Sequence, residues 1–339
     1  MIDPWRVSDT GFPRQGPPSA QFRHLLHYAI LAPSGHNTQP WRFRLAGNSV
    51  ELLADRARRL PIVDPEDREL TISCGAALGQ LRLAIRHFGF ADVLDLFPDV
   101  DQPQLLARVG MGEARSPDAD DERLFHAIPL RRSNRSDFAA RPVPPQLVKA
   151  LRASAAGEHV AFHEVAGTAD RGAVAELVAE GDRRQFADAA FRRELAQWIR
   201  PGFSGRRDGI PGAALGMGAL ASSVAPWIIR SLDVGKPQAM AHRRLALESP
   251  LLAVLGTRTD TPAAWLATGQ ALSRLLLRAH AEGVAASYLN APIEVPALRS
   301  RLRDTLGLEG YPQLLLRLGY GPEVGPTPRR HVSEVLLEQ

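Results

Sequence analysis

Residues 74–90 read CGAALGQLRLAIRHFGF, and residues 268–284 read TGQALSRLLLRAHAEGV. Aligned without a gap, Gly75 meets Gly269, Ala77 meets Ala271, Leu78 meets Leu272, Leu81 meets Leu275, Leu83 meets Leu277 and Gly89 meets Gly283. Each stretch predicts a long helix, apolar on most sides and closed by a glycine. A helix apolar nearly all round is a buried one. Two copies are therefore expected to pack on each other about a pseudo-twofold axis.

A second pair of segments follows in the same order. PQLLARVGMG (103–112) and PQLLLRLGYG (312–321) agree at seven of ten positions. Both read as a buried strand ended by a G-x-G turn. Repeats in conserved order imply a duplicated unit, with halves at about 1–125 and 126–339. Between the repeats, FRHLLHYAILA (22–32) reads as an amphipathic helix. WRFRL (41–45) and SVELLAD (49–55) form a hairpin around Gly-Asn. PPQLVKALRASA (144–155) is a proline-started helix, and SPLLAVLGT (249–257) is a strand. The expected fold is α+β, with antiparallel sheets around a central helix pair. Residues 200–240, rich in glycine and apolar side chains, have no counterpart in the first half. An insertion that apolar is expected to cover something.

The 339 residues suit two domains and a sizeable core. No apolar run reaches the roughly 18 residues of a membrane span, and MIDPWRVSDTGF lacks the pattern of a secretory signal. Cys74 is the only cysteine, which removes intramolecular disulfides and cysteine-based metal sites and suits a reducing, cytoplasmic setting. Net charge is +4. Two of the basic residues are Lys149 and Lys236, and the other 39 are arginines interleaved with acids. No basic run with stacking aromatics points to nucleic acid.

Two polar segments carry chemistry. APSGHNTQPW (32–41) packs Ser34, Gly35, His36, Asn37 and Gln39 into a turn bounded by Pro33 and Pro40, where free backbone N–H groups can meet a ligand closely. IPLRRSNRSDF (128–138) places Arg131, Ser133 and Arg135 on one face of an extended segment. Two guanidinium forks and a hydroxyl suit a phosphate monoester. TPRRHVSEVL (327–336) adds Arg329 and Arg330. Each segment alone also reads as an ordinary capped or solvated loop.

Together with SYLNAPIE (287–294) and LLLRLGYG, these motifs resemble the FMN-dependent nitroreductase family, in its tandem Acg-like branch. The resemblance covers most of the second half and the core of the first. It implies a nitroreductase-like fold in which one chain imitates a dimer, and a site shared by both halves. By that resemblance Arg131, Ser133 and Arg135 hold the FMN phosphate and ribityl chain. Pro33, Ser34, Gly35 and Asn37 line the ring or ribityl part from the other half. Arg244 stands near the pyrimidine edge and stabilises reduced flavin, Pro292, Ile293 and Glu294 lie over the ring, and Arg329 and Arg330 close on the phosphate. Val295 replaces the family's usual glycine. The first half has no RxSxR and the second no PSxNxQPW, so one FMN per chain is expected, in a monomer or loose homodimer.

The implied activity is hydride transfer from NAD(P)H to flavin N5, then ping-pong reduction of a nitroaromatic, quinone or similar small acceptor. The alternative is a protein that sequesters FMN under the 200–240 segment without turnover. No metal site, HExxH, P-loop or GxGxxG is present. His36 reads as a loop histidine bonded to backbone rather than as an acid.

Overall fold

The computed structural model describes residues 3–337. The first half runs α1 (Pro18–Ala29), β1 (Trp41–Ala46), β2 (Ser49–Ala54), α2 (Arg68–His87), β3 (Phe90–Leu96), β4 (Leu105–Ala114) and α3 (Ala119–Ala127). After it come α4 (Pro145–Ala156) and β5 (Ala161–Glu164). A helical excursion follows: α5 (Thr168–Ala187), α6 (Ala189–Trp198), β6 (Ile199–Arg200), β7 (Ile210–Pro211), α7 (Ala219–Ser231) and α8 (Gly235–Glu248). The chain then continues through β8 (Leu251–Thr257), α9 (Pro262–Ala281), β9 (Ala285–Tyr288), α10 (Ala291–Glu294), α11 (Pro296–Thr305) and β10 (Tyr311–Gly319). It ends with α12 (Val332–Val335) and β11 (Leu336–Leu337).

Of the two large sheets, one has the order β11-β1-β2-β4-β3 and the other β5-β8-β10-β9, while β6 and β7 form a separate two-stranded parallel pair. Read from β1 and from β5, both sheets show the same path: an antiparallel pair, then a long helix, then two more antiparallel strands. The exception is β11, which pairs parallel with β1 through Phe43–Leu336 and Arg44–Leu337. The last described residues thus complete the sheet of the first half.

The two repeated helices, α2 and α9, pack on each other at the centre. Glycine makes this possible. A Cβ on Gly75 would stand 2.2 Å from the Leu266 carbonyl oxygen, and one on Gly269 would stand 2.0 Å from that of Ile72. Real side-chain carbons never come so close, so the crossing exists only while both positions lack one. On either side lie separate apolar cores. One holds Phe22, Trp41, Phe43 and Leu78, the other Leu151, Leu255, Leu275 and Leu316.

Two sequence expectations change. The G-x-G of the first repeat does not end its strand: β4 runs through Gly110 and Gly112 to Ala114. β10 does stop at Gly319, where Phe138 and Pro250 press on the backbone. The excursion without counterpart begins at α5 and ends at α8, well beyond 200–240. Its flanking helices α5 and α8 are polar on average, so their composition does not set them apart in sequence.

Candidate active site

The segment carrying Arg131, Ser133 and Arg135 runs beside β9. Ser133 bridges to Ala286, and the Asn134 N–H donates to the Ala286 carbonyl at 2.9 Å. This fixes the alternation. Asn134 turns away to donate to the Pro322 carbonyl at 2.7 Å, while Arg131, Ser133 and Arg135 face a cavity of about 320 Å³.

The 34–37 turn forms the facing wall. It is held by bonds that sequence could not supply. The Gly35 N–H donates to Ser73 Oγ at 3.3 Å. Ser34 Oγ accepts from the Gln39 N–H at 2.9 Å. Asn37 donates to the Gly209 carbonyl at 2.9 Å and the Pro328 carbonyl at 3.0 Å, and its Oδ1 accepts from Arg329 at 2.8 Å. His36, Asn37 and Gln39 all have positive φ. Asn37 is therefore a clasp between the first half, the excursion and the C-terminal segment. Its amide hydrogens are both committed to protein, so it walls the cavity without a donor left for a ligand.

Pro33, Ser34, Gly35, Asn37, Glu294 and Arg329 share this cavity with the 131–135 face, as expected. Others do not. Arg244 lies on the exposed side of α8, paired with Asp137 at 3.0 Å and Glu248 at 3.0 Å, and does not line the cavity. Its neighbours His242 and Leu245 do, because helical spacing turns them inward. Ile293 points into the core with Val165 and Leu298, and Pro292 is likewise buried away from the lining. Arg330 is a tie: its Nη1 donates to the Gln39 carbonyl at 3.1 Å and its Nη2 to that of Glu334 at 2.6 Å. His36, expected to bond backbone, instead lines the cavity near Arg135.

The cavity is also lined by residues to which no local pattern in the sequence points, among them Arg317, Trp5 and Tyr288. Arg317 sits on β10, in the second copy of the repeated strand. Trp5 comes from an N-terminal stretch that offered no motif, and its indole donates to the Thr327 carbonyl at 2.8 Å. Tyr288 lies within SYLNAPIE, where the resemblance drew attention to the later residues. Arg132 also lines the cavity, against its period, because Trp5 draws it in: its guanidinium lies 3.8 Å from the indole centroid.

Five arginines thus converge: Arg131, Arg132, Arg135, Arg317 and Arg329. Among the described residues none of the five forms an ion pair. Arg131 Nε and Nη1, Arg317 Nε and Nη1, and Arg329 Nε are buried without a hydrogen-bond partner. Burial lowers the pKa of each guanidinium, to about 10 for Arg132 and Arg317 and well below the usual value for Arg329. Arg135 keeps accessible surface toward the cavity, yet enough protein surrounds it to desolvate it. Uncompensated buried charge costs several kcal/mol per ion, roughly, until an opposite charge arrives. This end of the cavity is built for an anion.

The other end is different. Phe186, Phe191, Leu195 and Leu215, all from the excursion, give it apolar walls. Its acids are neutralised or paired. Asp182 holds His242 Nδ1 at 3.0 Å. Burial, with the neighbouring Glu69 charge, pushes the Glu294 carboxyl up to about 8, although Gln185 donates to it at 2.5 Å. A cationic end joined to an apolar one fits a phosphorylated, largely apolar ligand.

The chain is similar to several known proteins. The nitroreductase NfnB of Mycobacterium smegmatis, solved in complex with NADPH and described as FMN-dependent, aligns with a TM-score of 0.40 at 19% identity, over 65% of this chain and 98% of its own. A Mycobacterium tuberculosis protein provisionally named NAD(P)H nitroreductase Rv3131 is 34% identical over 94% of this chain and 92% of its own length. The protein provisionally named NAD(P)H nitroreductase acg, from the same organism, is 30% identical over 92% and 94%. The model of the nitroreductase family matches residues 128–320, which carry both the arginine face and the repeated helix and strand. The chain belongs to the nitroreductase family.

Proposed function

We propose that the protein is an FMN-binding NAD(P)H oxidoreductase acting on a small apolar acceptor, with one FMN per chain. The observation that carries this reading is the set of buried, unpartnered arginine nitrogens facing one cavity. These fit a phosphate monoester, and the apolar end fits a planar ring. Bound FMN would supply the two-electron relay between a nicotinamide donor and the acceptor. Arg131, Ser133 and Arg135 would hold the phosphate and ribityl chain, with Arg329 and Arg132 completing the charge. Arg317, rather than Arg244, is the cation available inside the cavity to balance negative charge on a reduced ring. The excursion keeps water from the apolar end.

The two halves, about 1–125 and 126–339, would act as a built-in dimer, with the site formed between them. Support comes from the shared strand order of the two sheets. The single stoichiometry is supported by the matched arginines of the two repeats. Arg317 is unpaired in the cavity, whereas Arg108, its counterpart, is bonded to Glu51 at 2.8 Å. A nitroaromatic or quinone is the acceptor class this cavity suits, in a monomer that needs no second chain.

A second reading is FMN sequestration. It is favoured by a reciprocal clasp: the Gly209 N–H donates to the Asn37 carbonyl at 3.2 Å while Asn37 donates back. Asp208, beside it, is held by Arg58 and Arg200. That clasp fixes the excursion over the turn.

Absorption of the purified protein and FMN titration test the cofactor. The expected result is one equivalent of FMN, with affinity lowered at least about tenfold in the Arg131→Ala, Arg135→Ala double variant, from the loss of two charge-assisted contacts. Retained stoichiometric flavin in that variant would place the phosphate elsewhere. Anaerobic NAD(P)H then separates the two readings. Bleaching followed by quinone-dependent reoxidation supports the enzyme, and a flavin that stays oxidised supports sequestration.

A further inference from the structure

α7 is apolar on both faces. Ser222, Ala225 and Ile229 turn inward, and Ile229 joins Phe186, Phe191 and Ile199 in a small core. Leu220, Val224 and Trp227 occupy the opposite face at intervals of four and three residues, which aligns them in one stripe. They are 88%, 52% and 68% exposed. Phe203, Leu232 and Met240, from flanking parts of the same excursion, are also exposed. Large apolar side chains in contiguous exposed stripes mark interaction surfaces.

The charges around the stripe select its partner. Within residues 201–240, Arg230 and Lys236 are exposed against the one exposed acid, Asp233; Arg206 is exposed but lies 3.3 Å from Asp208, which is buried by its ion pairs. Tryptophan and leucine on one face, flanked by cations, is the composition of a helix that lies in the interface of a bilayer. No helix among the described residues is long and apolar enough to cross one. Anionic headgroups would neutralise Arg230 and Lys236, which form no ion pair among the described residues.

We propose that α7 docks the protein reversibly on the surface of an anionic lipid bilayer. The stripe inserts at the level of the headgroups, and Arg230 and Lys236 contact lipid phosphates. α7 packs on the short turn Gly212–Leu215, whose Leu215 lines the cavity. Docking therefore brings one wall of the cavity to the lipid surface.

Co-sedimentation of the full-length purified protein with vesicles tests this. The probes are vesicles of equal parts phosphatidylcholine and phosphatidylglycerol, and vesicles of phosphatidylcholine alone. Partitioning is expected to favour the anionic vesicles at least about fivefold and to weaken with added salt. The triple variant Leu220→Ser, Val224→Ser, Trp227→Ser is expected to lose at least about tenfold in partition coefficient, with an unchanged thermal midpoint. If that variant fails to fold, Arg230→Glu with Lys236→Glu, which leaves the apolar faces intact, carries the test through loss of the anionic preference. No sedimentation with either vesicle, or equal partitioning of wild type and a folded variant, overturns the proposal. So does a lipid-free dimer abolished by the triple substitution, which would make the stripe a contact between copies.

Discussion

His36 is the cavity residue whose state is most tightly constrained. Its φ is 49°, and burial followed by the nearby Arg135 charge lowers its imidazole to about 4. At neutral pH it is uncharged and cannot serve as an acid. In the unfolded chain it takes a proton near 6.5. The unfolded state thus binds more protons below that pH, so stability is complete above 6.5 and falls as pH drops toward 4. His36→Asn suits the left-handed backbone. It should flatten that fall by on the order of 1–3 kcal/mol, from the same shift, in urea unfolding of FMN-free protein at a series of pH values. Glu294 has the opposite sign. Its folded value of about 8 exceeds its ordinary 4.5, so its contribution is full below 4.5 and is lost as pH rises through 8. Glu294→Gln should remove that alkaline loss while keeping FMN bound. An unchanged slope in the variant would mean the carboxyl is already ionised at neutral pH.

Among the elements, the α2–α9 crossing depends most directly on single residues. Gly269→Ala would set a Cβ 2.0 Å from the Ile72 carbonyl oxygen and 2.7 Å from Gly75 Cα, both backbone atoms that cannot swing aside. Overpacking of this kind costs about 1–3 kcal/mol or more. The variant should therefore lose at least that in denaturant unfolding, and FMN with it, since α2 and α9 both line the cavity through Ile72 and Leu272. Loss of less than about 0.5 kcal/mol would mean that the helices separate freely. This pair was legible in sequence because the requirement is written twice, as glycine in the same register of two apolar helices. The hairpin at Gly47 and the proline-started α4 were legible for similar local reasons. The 131–135 face was legible because extended backbone alternates. Arg244 was misread because a position near a strand says nothing about which face of its helix it occupies. Trp5 and Arg317 were missed because their roles come from contacts 322 residues away in one case and from a missing acid in the other. Neither leaves a local pattern.

At the scale of the whole molecule, the fold treats matched positions of its two sheets differently. Arg108 on β4 neutralises Glu51, whose carboxyl is held below its usual value by Arg108 and Arg44. Arg317 on β10 faces the cavity over Phe138, 4.2 Å from its centroid, with two nitrogens unpartnered. The same substitution at the two sites should therefore act with opposite sign on FMN-free protein. Arg108→Met removes one partner of a nearly buried carboxylate and should destabilise by about 1 kcal/mol, since Arg44 remains. Arg317→Met removes a desolvated, unpaired cation and should stabilise by about 1–2 kcal/mol, less whatever the Ser136 carbonyl loses as its acceptor goes unmet. FMN reverses the second result. Ligand at 100 times its dissociation constant adds roughly 2.7 kcal/mol to the folded state, and the weaker binding of Arg317→Met should shrink that increment while Arg108→Met keeps it. Urea midpoints with and without FMN, for both variants, read all four quantities. Equal signs for the two variants in FMN-free protein would mean that Arg317 is compensated within the fold, and the cavity would then have no standing demand for an anion.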